Sequence, residues 1–157
     1  MNKKEVFLQL GGKLRELKEG TGDNSEILEE VARLLKEEVD HYDWVGFYVA
    51  KPEKNQLELG PFAGDPTEHQ RIDYGEGICG QSAETKEIFV VQDVEEEENY
   101  LSCSPEVKSE IVVPVFDKGE FVGEIDIDSH RLEPFDSEDE QFLGALSEEL
   151  STFFRPD

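Results

Sequence analysis

The pattern of apolar positions divides the chain into short elements. Residues 5 to 17 place Val6, Phe7, Leu10, Leu14 and Leu17 at helical spacing, with Gly11 and Gly12 interrupting the run. GTGDN at 20 to 24 breaks it. Residues 25 to 39 then carry Ile27, Leu28, Val31, Leu34, Leu35 and Val39, which predicts a second amphipathic helix. DWVGFYVA at 43 to 50 changes to a period of two and reads as a strand. Val45, Phe47 and Val49 share one face, and Trp44, Gly46 and Tyr48 share the other. Two aromatics with polar edges flank a residue without a side chain, which predicts a small hollow on that second face.

Further along, KPEKNQ forms a hairpin-like turn and QLELGPF returns as a second strand. DYGEGICGQSAETKE reads as a glycine turn into a short helix, with Cys79 in its first turn. IFVVQDV is a third strand, and IVVPVF and FVGEIDIDS, joined by DKGE, are two more. Within EIDID, Ile125 and Ile127 point one way while Asp126 and Asp128 point the other. Asp136 caps a final helix running to about Phe154, with Phe142, Leu143, Leu146, Leu150 and Phe153 as its apolar stripe. Two helices, about five strands joined by short turns, and a terminal helix imply an α+β fold: an antiparallel sheet with helices on one face.

Length and charge narrow the function. The 157 residues suit one domain, and ten Phe, four Tyr and one Trp supply a core despite 34% charged residues. A net charge of −24 and no basic stripe oppose binding to nucleic acid or anionic membrane. The same acidity would suit a salty cytoplasm, with stability that depends on salt. The N-terminal stretch MNKKEVFLQLGGKLREL lacks the apolar run of a secretory signal, so a cytoplasmic location is expected. In that reducing compartment, two cysteines argue against a permanent structural disulfide.

The residues themselves leave each cysteine open as a small apolar filler or a reactive thiol. Cys103 precedes Ser104-Pro105-Glu106, which reads as a helix start whose free N–H groups would favour a thiolate. Glu106 and Glu110 oppose that. Asp126 and Asp128 share a strand face and would raise each other's pKa, or they simply form an exposed polar face. Glu110 interrupts the entrance to an apolar strand. His41, His69 and His130 show no metal-binding spacing, and no C-x-x-C or H-x-x-x-H pattern occurs, so no metal site is expected. His69 reads as a surface-loop residue.

Taken in order, DWVGFY, LELGPFAG, RIDYGEGICG, QDV, SCSPEVKSEIVVPV, VGEIDIDS and FDSEDEQFL resemble a GAF domain, and more narrowly the free methionine-(R)-sulfoxide reductases. The resemblance spans roughly residues 43 to 143. It implies a single GAF-like domain over residues 1–157, with helices on one sheet face and a small-ligand pocket on the other. It also implies Cys103 as the catalytic cysteine and Cys79 as a second family cysteine, expected to pair in a Cys79–Cys103 disulfide. Trp44 and Tyr48 match aromatics around the methyl-sulfoxide end of the substrate, and Glu110, Asp126 and Asp128 match acids around it. No bound cofactor is needed; thioredoxin is the family's reductant, and members are often homodimers.

The family carries a further cysteine shortly before GICG, where this chain has GDPTEHQRI and none. The resolving role then falls to Cys79 or to an external thiol, unless the chain is a non-catalytic GAF module that senses a small ligand or redox state. An interaction subunit that docks a partner through its acidic face is the third reading.

Overall fold

The computed structural model describes residues 2–20, 22–101 and 104–156. Cys103 lies outside them. Helices α1 (Lys3–Lys18) and α2 (Asn24–Glu38) are followed by strands β1 (Trp44–Lys51), β2 (Gln56–Ala63) and β3 (Arg71–Asp73). Helix α3 (Gly77–Thr85), strands β4 (Phe89–Val91), β5 (Ser109–Asp117) and β6 (Glu120–Ser129), and helix α4 (Ser137–Leu150) complete the order. The strands form one six-stranded antiparallel sheet, β3-β2-β1-β6-β5-β4. The strand beyond the expected five is β3, three residues long and too short to show a period.

The two glycines do not break α1. Nothing lies within 4 Å of a Cβ at either position, and Phe7, Leu10 and Leu14 on the opposite side are buried. Tertiary burial of that face outweighs the propensity cost of about 1 kcal/mol per glycine. Asn2 and Asp23 cap α1 and α2 by accepting backbone N–H bonds from Glu5 and Glu26.

The larger core joins α1, α2 and α4 to Val45, Phe47, Ile111, Val113, Val115, Ile125 and Ile127 on one sheet face. A second core covers the other face, where Ile78, Cys79 and Ala83 of α3 meet Trp44, Tyr48, Leu57 and Val112. The alternation over Trp44–Val49 of β1 and Glu124–Asp128 of β6 sets this division, with odd positions under the three long helices and even positions under α3. Before Gly123 the β6 pattern inverts, so Val122 joins the larger core and Phe121 the second. No helix among the described residues is long and apolar enough to cross a membrane.

At the edge of the larger core, Asp139 gathers four donors. His41 Nε2 (2.6 Å) and Tyr42 Oη (2.8 Å) donate to Oδ1, while Lys3 Nζ (2.5 Å) and the Asp136 N–H (3.0 Å) donate to Oδ2. The last of these closes the capping box of α4.

Candidate functional site

Strand register places the candidate residues in columns. On the α3 face, Trp44, Gly46 and Tyr48 of β1 stand opposite Asp128, Asp126 and Glu124 of β6. On the other side of β6, Glu110 of β5 stands opposite Asp128, and Val112 opposite Asp126. A column of three acids therefore runs down the centre, with aromatics on one flank and Glu110 on the other, about 5 Å from strand to strand. All four acids are buried.

Helix α3 brings Cys79 onto this face. Its start is fixed by Asn99, whose Oδ1 accepts the Gly77 N–H (2.8 Å) and whose Nδ2 donates to the Gly75 carbonyl (2.8 Å). Gly80 lets the helix approach β3: a Cβ there would lie 2.4 Å from the Asp73 carbonyl oxygen. The Cys79 Sγ then sits 3.8 Å from Glu110 Oε2.

Two spaces border the columns. The inner chamber is lined by Tyr48, His69, Ile72, Ile78, Cys79, Leu101, Glu110 and Asp126, with a volume of about 10 Å³. That is room for one water. Beside it lies an open cleft of about 530 Å³, with Trp44, Asp128, Gly64, Asp65, Ser104, Val107, His130 and Arg33 on its walls. Its volume falls in the range of small-molecule sites. The hollow expected over Gly46 is filled by the Trp44 indole, because a Cβ at residue 46 would lie 2.3 Å from the ring. The indole stacks on Phe62 (5.6 Å, 19°) and donates from Nε1 to the Asp65 carbonyl (2.9 Å). Tyr48 Oη donates to the His69 carbonyl (2.9 Å), which anchors the loop before β3 to β1.

Electrostatically the face favours protons. Burial pushes the Cys79 thiol well above its ordinary range, and Asp126, Glu124, Glu110 and Asp128 push it further. Burial, then Asp126, likewise raises Asp128 and Glu124. Asp126 is also raised by burial, with its polar contacts to Glu110 and Cys79 pulling against it. Oδ1 of both aspartates and both oxygens of Glu124 are buried without a hydrogen-bond partner. Ser82 acts on Glu124 only as a nearby dipole, because its hydroxyl donates to the Glu87 carbonyl (2.6 Å) instead.

A stability prediction follows from Glu124. A carboxyl whose pKa is raised on folding favours the native state below the unfolded pKa of about 4.3. That contribution is lost as pH climbs through the raised value. Glu124→Gln removes the penalty, so the variant should match the parent at about pH 4 and exceed it by about 1–3 kcal/mol at pH 8. Denaturant titration at the two pH values is the check. A variant less stable at pH 8 would mean that the ionised carboxylate is stabilised by its surroundings.

The structure brings Tyr48, Cys79, Glu110 and Asp126 around the chamber and sets Trp44 and Asp128 on the adjoining cleft. Residues 104 to 108 do not start a helix. The Ser104 carbonyl accepts the Val107 N–H (3.2 Å) and Ser104 Oγ accepts the Glu106 N–H (3.2 Å), a turn that leads directly into β5 at Ser109. The expected helical stabilisation of a Cys103 thiolate therefore has no support in residues 104–108. His69 is half-buried and lines the chamber rather than standing on the surface. Glu124 had a signal in the same EIDID alternation as the aspartates, but reading the pair as one unit passed over it.

Comparison with known proteins agrees with this architecture. Residues 23–152 match the GAF domain family. The free methionine-R-sulfoxide reductase of Saccharomyces cerevisiae is 45% identical over 107 residues, covering 67% of this chain and 59% of that protein. The Escherichia coli protein of the same name is 33% identical over 150 residues, covering 96% and 89%. The Neisseria meningitidis free methionine-R-sulfoxide reductase, solved in complex with its substrate, superposes with a TM-score of 0.85 at 36% identity, covering 97% of this chain and 87% of that one. The chain belongs to the GAF-domain family and, within it, to the free methionine-(R)-sulfoxide reductases.

Proposed function

We propose that the protein reduces free L-methionine-(R)-sulfoxide to methionine through a Cys103 sulfenic acid and a Cys79–Cys103 disulfide. The observation that carries the reading is the meeting of Tyr48, Cys79, Glu110 and Asp126 at one buried chamber beside a cleft walled by Trp44 and Asp128.

In this mechanism the Cys103 thiolate attacks the sulfoxide sulfur. A carboxyl that burial keeps protonated, Asp126 or Asp128, delivers a proton to the sulfoxide oxygen. The protonated oxygen then shifts from the methionine sulfur to the Cys103 sulfur as the transient S–S bond breaks, so methionine departs as the thioether and Cys103 is left as sulfenic acid. Cys79 then attacks that sulfur, its thiol proton leaves with the oxygen as water, and a disulfide remains. A dithiol partner reduces the disulfide and restores both thiols. Trp44 and Tyr48 hold the polarisable methyl-sulfoxide end, while Glu110 and an ionised aspartate hold the ammonium group. A chamber with room for one water cannot take a whole amino acid, so substrate enters from the cleft side.

The family resemblance supplies the rest of the reading: one GAF-like domain over residues 1–157, a thioredoxin-like reductant, a homodimer and a cytoplasmic location. The test is NADPH consumption with thioredoxin and thioredoxin reductase. Free R-epimer should support turnover, whereas free S-epimer and peptide-bound sulfoxide should not. Equal rates on the peptide, or no rate on the free R-epimer with any dithiol, would remove the proposal.

A further inference from the structure

Cys79, Glu110 and Asp126 come from α3, β5 and β6, and no sequence spacing announces their meeting. Each offers one ligand atom, and the three atoms all lie within 4.8 Å of one another. The Sγ-to-Oε2 separation is 3.8 Å. In a tetrahedral zinc site, bonds of about 2.3 Å to sulfur and 2.0–2.2 Å to oxygen put neighbouring ligands roughly 3.5 Å apart. The cluster therefore stands close to the size of a coordination shell. Asp126, 4% exposed, lines the chamber, and its buried Oδ1 has no hydrogen-bond partner. Behind it, Glu124 is fully buried with both oxygens unpartnered. The chamber of about 10 Å³ admits an object the size of a water or an ion while excluding an amino acid.

We propose that this cluster binds a divalent cation of borderline softness, zinc or cobalt, through Cys79 Sγ, one Glu110 oxygen and one Asp126 oxygen. The fourth position opens to the chamber. The Cys79 thiol proton is released on binding, and the cation replaces the protons that the buried carboxyls would otherwise hold. A thiolate among the ligands selects against magnesium and calcium, which prefer oxygen alone. Glu124 stands outside the three ligands. Where the protein works as the proposed reductase, the bound cation withholds Cys79 from the sulfenic acid. Zinc also takes the Glu110 carboxylate that holds the ammonium group and the Asp126 carboxyl beside it, so it inhibits turnover, an effect that a chelator reverses.

The probe is Co²⁺ added anaerobically to the fully reduced protein. One equivalent should produce a thiolate-to-cobalt charge-transfer band in the near ultraviolet, and Zn²⁺ but not Mg²⁺ should displace it. Cys79→Ser should abolish the band, and Cys103→Ser should keep it. Asp126→Asn and Glu110→Gln, checked for fold by circular dichroism, should each weaken cobalt binding by at least about tenfold. Absence of the band in the parent protein, or its survival in Cys79→Ser, overturns the site. The reductase reading is separable from it. Cobalt binding in a protein without turnover removes that reading and leaves the site, whereas turnover without any cobalt band removes the site alone.

Discussion

Replacing Cys103 by serine should lower the steady-state reduction of free methionine-(R)-sulfoxide by at least about 10³-fold, the scale of losing an attacking nucleophile. A serine hydroxyl stays un-ionised at neutral pH and cannot form the disulfide that closes the cycle. The informative comparison is Cys79→Ser. With the attacking thiol intact, that variant should release about one methionine per protein and then stall as a sulfenic acid. A small external thiol should restore part of its turnover. Single-turnover assays with a sulfenic-acid trap separate the two variants: Cys103→Ser should give neither methionine nor label, and Cys79→Ser should give both. A robust rate from Cys103→Ser would remove it as nucleophile, and unimpaired thioredoxin-driven turnover by Cys79→Ser would remove the disulfide.

The largest loss of stability among the substitutions considered is expected at Asp139. Its side chain is fully buried and accepts from His41, Tyr42, Lys3 and the Asp136 N–H. Burial opposes its charge, yet those hydrogen bonds hold the carboxyl well below the usual carboxylate range. Asp139→Ala strands the Tyr42 hydroxyl and the His41 ring in the interior and ends the capping box. The expected cost is about 3 kcal/mol, at the lower end for a broken buried pair because Lys3 keeps 28% exposure. For a chain of this length that is a Tm fall of roughly 10 °C. Asp139→Asn keeps one acceptor for Tyr42 and should cost about half as much. In the parent protein the carboxylate stabilises fully above the unfolded pKa near 3.9, and this contribution fades as pH falls through the depressed native value. Acid titration of Asp139→Asn should therefore lack that component. A cost below about 1 kcal/mol for Asp139→Ala would mean that the donors find other partners.

Period-two patterns carried most of what could be read in advance. DWVGFYVA and EIDID assigned their faces correctly because one-residue alternation in a strand is a local property. The long helices were legible for the same reason, even across Gly11 and Gly12, where burial of Phe7 and Leu10 decides the outcome. What stayed hidden depends on register or on close approach. Glu110 meets Asp128 only through the β5–β6 pairing, and Cys79 reaches Glu110 only because Gly80 admits α3 against β3. The Trp44 ring lies over Gly46, so the missing side chain made room for a neighbour rather than a ligand. Ser104-Pro105 had the composition of a helix start, but the chain must be extended by Ser109, which leaves space for one turn.

Under the proposed reaction, the column of raised carboxyls on β6 bears on how the protein lets go of what it makes. Substrate and product carry the same ammonium and carboxylate groups and differ by a single oxygen. An ionised acid facing the ammonium grips both equally and therefore cannot promote release. A carboxyl that keeps its proton can donate to the sulfoxide oxygen and finds no acceptor of comparable strength on the thioether. The burial that makes these acids poor anions should then make methionine a weak inhibitor, and the preference for sulfoxide over methionine should decline as alkali strips that proton away.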